Sequence, residues 1–155
     1  MQKVLIAYFS HSGTTKKVAE KLALLTGGEL FPIRPMEPYP EGYSAVVAKA
    51  KKEVGAGARP AIQAPLPDFS KYSAVLVGYP NWWSTVPMPV LTFLEGADLA
   101  GKTVLPFYTH GGGGAGRSVG DVKKACPGAL VTVGFDANGA TDKRLGDWLS
   151  QVGLQ

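Results

Sequence analysis

Five apolar runs of strand length alternate with five segments of helical spacing along this chain, and that alternation admits few folds. The runs are Lys3 to Phe9, Glu29 to Arg34, Ala74 to Tyr79, Thr103 to Tyr108 and Leu130 to Phe135. The spacing predicts helices over about 14–26, 43–54, 87–95, 116–126 and 141–152. In the last of these, Leu145, Trp148, Leu149 and Val152 fall on one face. Strands alternating with helices imply a mostly parallel sheet covered on both sides. The expectation is an α/β fold: one three-layer domain over residues 1–155, with five parallel strands and helices on both faces. At 155 residues the chain is long enough to build such a core.

Strand order follows in part from the prolines. Pro32 lies inside the second run. Proline cannot donate to a ladder, so that strand belongs at an edge. The fifth run alternates polar and apolar residues, which also suits an edge. The first and third are nearly all apolar, as central strands should be. The order 2-1-3-4-5 satisfies these constraints. Pro106 sits in the fourth run, which is internal in that order, so a bulge or a lost ladder bond is expected there. Pro35 to Pro67 reads as an extended crossover with one helix, whose Val46, Val47, Ala50 and Val54 can share a face.

Composition removes several classes of function. No apolar run approaches the roughly 20 residues of a membrane span, and the N-terminus lacks a signal-peptide pattern. The single cysteine, Cys126, cannot form an internal disulfide. A reducing, cytoplasmic setting is therefore expected. His11 and His110 are isolated in sequence, so no metal is expected. The net charge is +4, but the basic residues are dispersed and no nucleic-acid recognition motif is present. Lys49, Lys51 and Lys52 read as the wet face of a helix. A monomer or weak dimer is expected.

Three loops then stand out, each following a strand that ends on the same rim. After the first strand comes Ser10-His11-Ser12-Gly13-Thr14-Thr15, with four hydroxyls before a helix. Free amides at a helix N-terminus attract anions, so this segment reads as a phosphate cradle. After the third strand comes Pro80-Asn81-Trp82-Trp83-Ser84-Thr85. A tryptophan pair in a loop either covers core or walls a flat ligand, and one of the two is expected to cover core. After the fourth comes Thr109-His110-Gly111-Gly112-Gly113-Gly114-Ala115-Gly116. Its glycines permit close backbone approach and leave amides free for a polar ring edge. Together the loops describe a ligand with a monophosphate at one end and a flat hydrogen-bonding ring at the other. Flavin mononucleotide (FMN) fits.

On these residues the chain resembles the flavodoxins over nearly its whole length. Ser10-x-Ser12-Gly13-Thr14-Thr15 is similar to the family's phosphate loop. Gly78-Tyr79-Pro80-Asn81-Trp82-Trp83 is similar to the version with paired tryptophans, and Thr109-His110-Gly111-Gly112 to the third flavin loop. The resemblance implies that Ser10, Ser12, Gly13, Thr14 and Thr15 hold the phosphate. It implies that Asn81, Trp82 and Trp83 approach the isoalloxazine, while Thr109, His110, Gly111 and Gly112 border its other edge. His11, Pro80 and Ser84 complete the candidate cofactor-binding set. No catalytic residue is assigned.

The implied function is a one-electron carrier that cycles FMN through oxidised, semiquinone and reduced forms with redox partner proteins. The alternative is an FMN-dependent NAD(P)H reductase of quinones or similar acceptors. Lys16, Lys17 and Arg117, near the loops in sequence, favour a phosphorylated donor, but no separate nicotinamide motif is visible. Many carriers of this family are acidic, whereas this chain is basic and its three loops hold no acidic residue. That implies a less negative potential for the second electron. Asn81 is expected to tolerate a left-handed backbone and so ease a peptide flip beside the ring, and His110 to be a loop residue or a titratable charge near it. A phosphate-receiving signalling domain would need carboxylates at the strand ends, and a serine hydrolase a Gly-x-Ser-x-Gly elbow; both are lacking.

Overall fold

The computed structural model describes residues 3–154; residues 1, 2 and 155 of the expected span lie outside it. The elements run β1 (Val4–Tyr8), α1 (Thr14–Thr26), β2 (Glu29–Pro32), α2 (Tyr43–Ala56), β3 (Ala74–Pro80), α3 (Met88–Gly96), β4 (Thr103–Thr109), α4 (Ser118–Ala125), β5 (Leu130–Val131), β6 (Phe135–Asp136) and α5 (Asp142–Gln151). All pairings of these strands are parallel, in the order β2-β1-β3-β4-β5, with β6 also on β4. The expected order 2-1-3-4-5 is therefore the observed one.

Both prolines sit where their missing N–H costs least. The Ile33 amide donates to the Tyr8 carbonyl. Backbone groups of successive strand residues point to opposite sides, so Pro32 faces away from β1, towards the open edge. In β4, the carbonyls of Val104 and Tyr108 are bonded by Thr132 and Ala137. The even-numbered residues of β4 thus face the fifth strand, and Pro106 with them. That is where the fifth strand breaks. Val104 pairs with Val131 and Phe107 with Phe135, so the outer strand carries one extra residue opposite Pro106. This is the expected bulge with its lost ladder bond. The expected strand of Leu130 to Phe135 consequently becomes two short pieces, β5 and β6.

Two apolar layers sandwich the sheet. One contains Leu5, Ala7, Val75, Val77 and Tyr79, packed against Val90, Phe93 and Leu94 of α3 and Val122 of α4. The other contains Val4, Ile6, Leu76, Leu105 and Phe107 against Val18 and Leu22 of α1 and Leu145, Trp148 and Leu149 of α5. Alternate residues of each central strand thus face opposite layers, which explains why β1 and β3 read as unbroken apolar runs. Trp148 stacks on Phe135 with centroids 4.5 Å apart.

Gly78 lets β3 and β4 lie against a large ring. A Cβ there would stand 2.1 Å from the Phe107 ring. Gly78→Ala should therefore destabilise the protein by about 1–3 kcal/mol through overpacking, read from urea unfolding midpoints. In a Phe107→Leu background the same change should cost less; an equal cost would show that the ring is not the obstacle.

Candidate functional site

The three loops meet at the carboxyl ends of β1, β3 and β4, and each is fixed by its own chemistry. The first turns at Gly13, whose amide donates to Ser10 Oγ at 3.1 Å. The Lys17 amide makes the first helical bond, to the Gly13 carbonyl. The amides of Thr14, Thr15 and Lys16 therefore have no intrahelical acceptor. No acidic side chain occupies the first turn of α1, and no side chain caps it. Ser12 and Thr14 bring their hydroxyls within 3.3 Å of each other. This end of the site offers donors and positive helix-dipole potential, with no built-in anion to satisfy them.

The second loop is a tight turn. Trp82 and Thr85 exchange backbone hydrogen bonds of 2.9 and 3.0 Å. Trp83 and Ser84 between them take φ of +53° and +63°. Two left-handed residues make a type I′ turn, which glycine and asparagine normally fill. Here a tryptophan and a serine are forced into it, at a cost of roughly 1–3 kcal/mol each. The left-handed positions of this loop are thus Trp83 and Ser84. Asn81 is held instead as an extension of the sheet, its amide donating to the Thr109 carbonyl at 2.8 Å. A flip of the Asn81–Trp82 peptide would leave that bond intact and break the Trp82 amide's bond to the Thr85 carbonyl.

The two tryptophans part company. Trp82 packs edge-on against Phe9 and Tyr39, each at 5.3 Å, and against His11 at 6.1 Å. It is the one that covers core. Trp83 is 44 % exposed. Its indole donates to the Val47 carbonyl of α2 at 3.2 Å, and Lys51 Nζ lies 5.5 Å from its ring centre. Tyr39 is anchored by a hydrogen bond to Glu53. Burial, and then that bond, hold its phenol protonated far above the ordinary tyrosine range.

The third loop buttresses the second. The Arg117 amide donates to the Ser84 carbonyl at 2.7 Å, and Asn81 Nδ2 to the Gly114 carbonyl at 2.6 Å. Gly116 has φ of +53°, and a Cβ on it would lie 2.6 Å from the Ser84 oxygen. Only glycine lets the chain pass so close. Thr85 Oγ1 donates to Asp121 of α4. The imidazole of His110 is engaged on both sides: Nδ1 accepts from the Gly112 amide at 3.0 Å, and Nε2 bonds Asp136 at 2.9 Å. Asn138 closes the knot, accepting from the His110 amide and donating to its carbonyl. His110 is a loop anchor. Burial raises the Asp136 carboxyl, but the bonds from His110 and the Asn138 amide outweigh it and hold it below the usual carboxylate range.

A cleft of about 750 Å³ opens beside these loops. His11, Ser12, Thr15, Pro80, Asn81, Trp82 and Trp83 line it. Ser10, Gly13, Thr14 and Ser84 shape the turns at its margin. Thr109, His110, Gly111 and Gly112 do not line it; Thr109 instead meets Thr15, hydroxyl to hydroxyl, at 3.0 Å in buried surroundings. The opposite wall is α2, with Tyr43, Val46, Val47 and Ala50, and Glu41 stands at its start. The sequence places Val46, Val47 and Ala50 on one helix face, but their spacing does not reveal that this face walls a cleft. Glu41 also means that the cleft holds a carboxylate, although the three loops do not. Asn81 Oδ1 is buried there with no hydrogen-bond partner among the described residues. Such an orphaned acceptor is costly unless a ligand satisfies it.

A family profile described as flavodoxin matches residues 3–152. The chain belongs to the flavodoxin family. A candidate flavoprotein from Bacteroides eggerthii superimposes with a TM-score of 0.90 at 36 % identity, covering 100 % of both chains. A flavoprotein from Lactobacillus acidophilus, solved in complex with FMN, gives 0.80 at 26 % identity, covering 96 % of this chain and 99 % of its own. Comparison with curated proteins returned no match. Among the described residues no group of acidic, histidine or cysteine side chains is placed to hold a metal, and no helix is long and apolar enough to cross a membrane.

The anchoring of the family's third loop in this chain has a pH signature. A carboxyl whose folded value is depressed stabilises above its unfolded value, about 3.9, and loses that contribution as pH falls through the folded value. Wild type should therefore exceed Asp136→Asn in stability at neutral pH, and the gap in urea midpoint should close below about pH 4. A gap independent of pH would contradict this.

Proposed function

We propose that this chain binds FMN in the cleft and works as a one-electron carrier between partner proteins. The carrying observation is that one cleft runs from unpaired first-turn amides of α1 to the half-exposed ring of Trp83. Its volume lies within the roughly 300–1,000 Å³ of small-ligand sites. The residues fit the cofactor end by end. The amides of Thr14, Thr15 and Lys16 and the hydroxyls of Ser12 and Thr14 are donors suited to a phosphate. Of the two protons on Thr15 and Thr109, one is used in their mutual bond, so the pair keeps one to give. Trp83 offers an aromatic face, and Asn81 Oδ1 an acceptor for a ring N–H.

When bound, FMN supplies reversible uptake and release of electrons. The chain's part is to position and to shield. Val46, Val47 and Ala50 keep water from one wall, and Trp82 keeps it from the sheet. The type I′ turn fixes the angle of Trp83: Trp82 and Thr85 close it with two backbone bonds, and the Trp83 indole is tied to the Val47 carbonyl. Trp83 and Tyr43, 44 % and 85 % exposed, leave one edge of the cleft open to a partner.

The carrier reading is ranked above the NAD(P)H reductase because no separate nicotinamide-binding motif follows the first strand. Two results test the proposal. FMN fluorescence should be quenched on titration with protein, and Trp83→Ala should weaken binding about tenfold, a loss of about 1.4 kcal/mol. Trp82→Ala should chiefly lower the unfolding midpoint. NADPH alone should leave the flavin spectrum unchanged; bleaching by NADPH without a partner protein would favour the reductase.

A further inference from the structure

We infer that the surface strip from Trp83 to Lys124 is the docking face for a protein partner that presents carboxylates. The inference rests on the carrier reading above and names its partner's chemistry. The strip is continuous with the cleft. Thr85 closes the turn that holds Trp83 and also lines the 260 Å³ groove between α2, α3 and α4. The Arg117 amide, bonded to the Ser84 carbonyl, joins the same two places.

Charge along the strip does not cancel. Arg59 pairs with Glu95 at 2.8 Å, and Arg117 with Asp121 at 3.4 Å. Asp121 is further occupied by the Thr85 hydroxyl. Both acids of the groove are thus matched. Lys124, which lines the groove, and Lys51, which sits over the Trp83 ring, have no acidic partner among the described residues. Lys51 sits over the exposed Trp83 ring and Lys124 lies in the adjoining groove; Glu41, which lines the cleft with Trp83, has no cationic partner among the described residues, and the strip still keeps a positive excess. Arg and Trp are the side chains that most often anchor interfaces, and unmatched rim charge acts mainly by steering encounter. The groove can accept the side chains of an acidic surface.

Poly-L-glutamate is a suitable probe, followed through the protein's own tryptophan fluorescence. It should bind at low ionic strength and be released by salt, since exposed charges are screened beyond about 8 Å in physiological salt. Lys51→Gln combined with Lys124→Gln should weaken binding roughly fivefold or more, taking about 0.5 kcal/mol for each exposed charge. Lys3→Gln combined with Lys71→Gln removes the same net charge at the opposite ends of β1 and β3 and should change it far less. Equal weakening by both pairs, or no salt-reversible binding, overturns the inference. Displacement of the polymer by NADPH in a Lys124-dependent manner would make the strip a nucleotide site and overturn it too. FMN titration of the same samples separates the two readings. FMN retained without poly-L-glutamate binding sinks only the docking face, whereas failure to bind FMN sinks the carrier.

Discussion

The parallel ladder through β1, β3 and β4 is the constraint on which the rest depends. Leu5 to Ala7 and Val75 to Val77 are almost wholly removed from water, and each contributes to one of two opposed apolar layers. Burial on this scale stabilises by about 25 cal/mol per Å² of apolar surface, so the register cannot slip without exposing a layer. That register ends all three strands on one rim. Phe9 extends it by donating to the Gly78 carbonyl at 2.9 Å, and Asn81 by donating to Thr109. The loops converge because the strands beneath them are locked.

What the rim then builds is a strained turn held by its neighbours. A tryptophan and a serine in left-handed geometry would relax in isolation. Here the Arg117 amide, the Thr85–Asp121 bond and the close passage of Gly116 over-determine the turn. The glycine-rich segment is thus explained in part without a ligand: it is shaped to lie against Ser84. The strain is localised where the flat ligand is expected, in line with the tendency of functional sites to hold unusual backbone.

Much of this was legible in the sequence. Strand order followed from Pro32 and from the apolar character of β1 and β3, and Pro106 announced the break in the outer strand. Those signals are local, because proline lacks a donor wherever it sits. The donor-rich first loop was legible for a similar reason, since hydroxyls before a helix imply unpaired amides. The second wall of the cleft was not. Val46, Val47 and Ala50 show the same spacing whether they cover a sheet or face a ligand. The Trp83–Ser84 turn lacked the glycine or asparagine that signals a type I′ turn. The anchoring of His110 depends on Asp136 and Asn138, which lie 26 and 28 residues further along and which no local spacing connects to it.

The central claim is that one cleft holds a phosphate at α1 and a flat ring at Trp83. Calorimetric titration of the protein with FMN and, separately, with riboflavin tests it most directly. The account predicts one FMN per chain, bound at least about tenfold more tightly than riboflavin, equivalent to about 1.4 kcal/mol from the phosphate end. Equal affinities would mean that the first-turn amides of α1 play no part in binding, and would contradict the account.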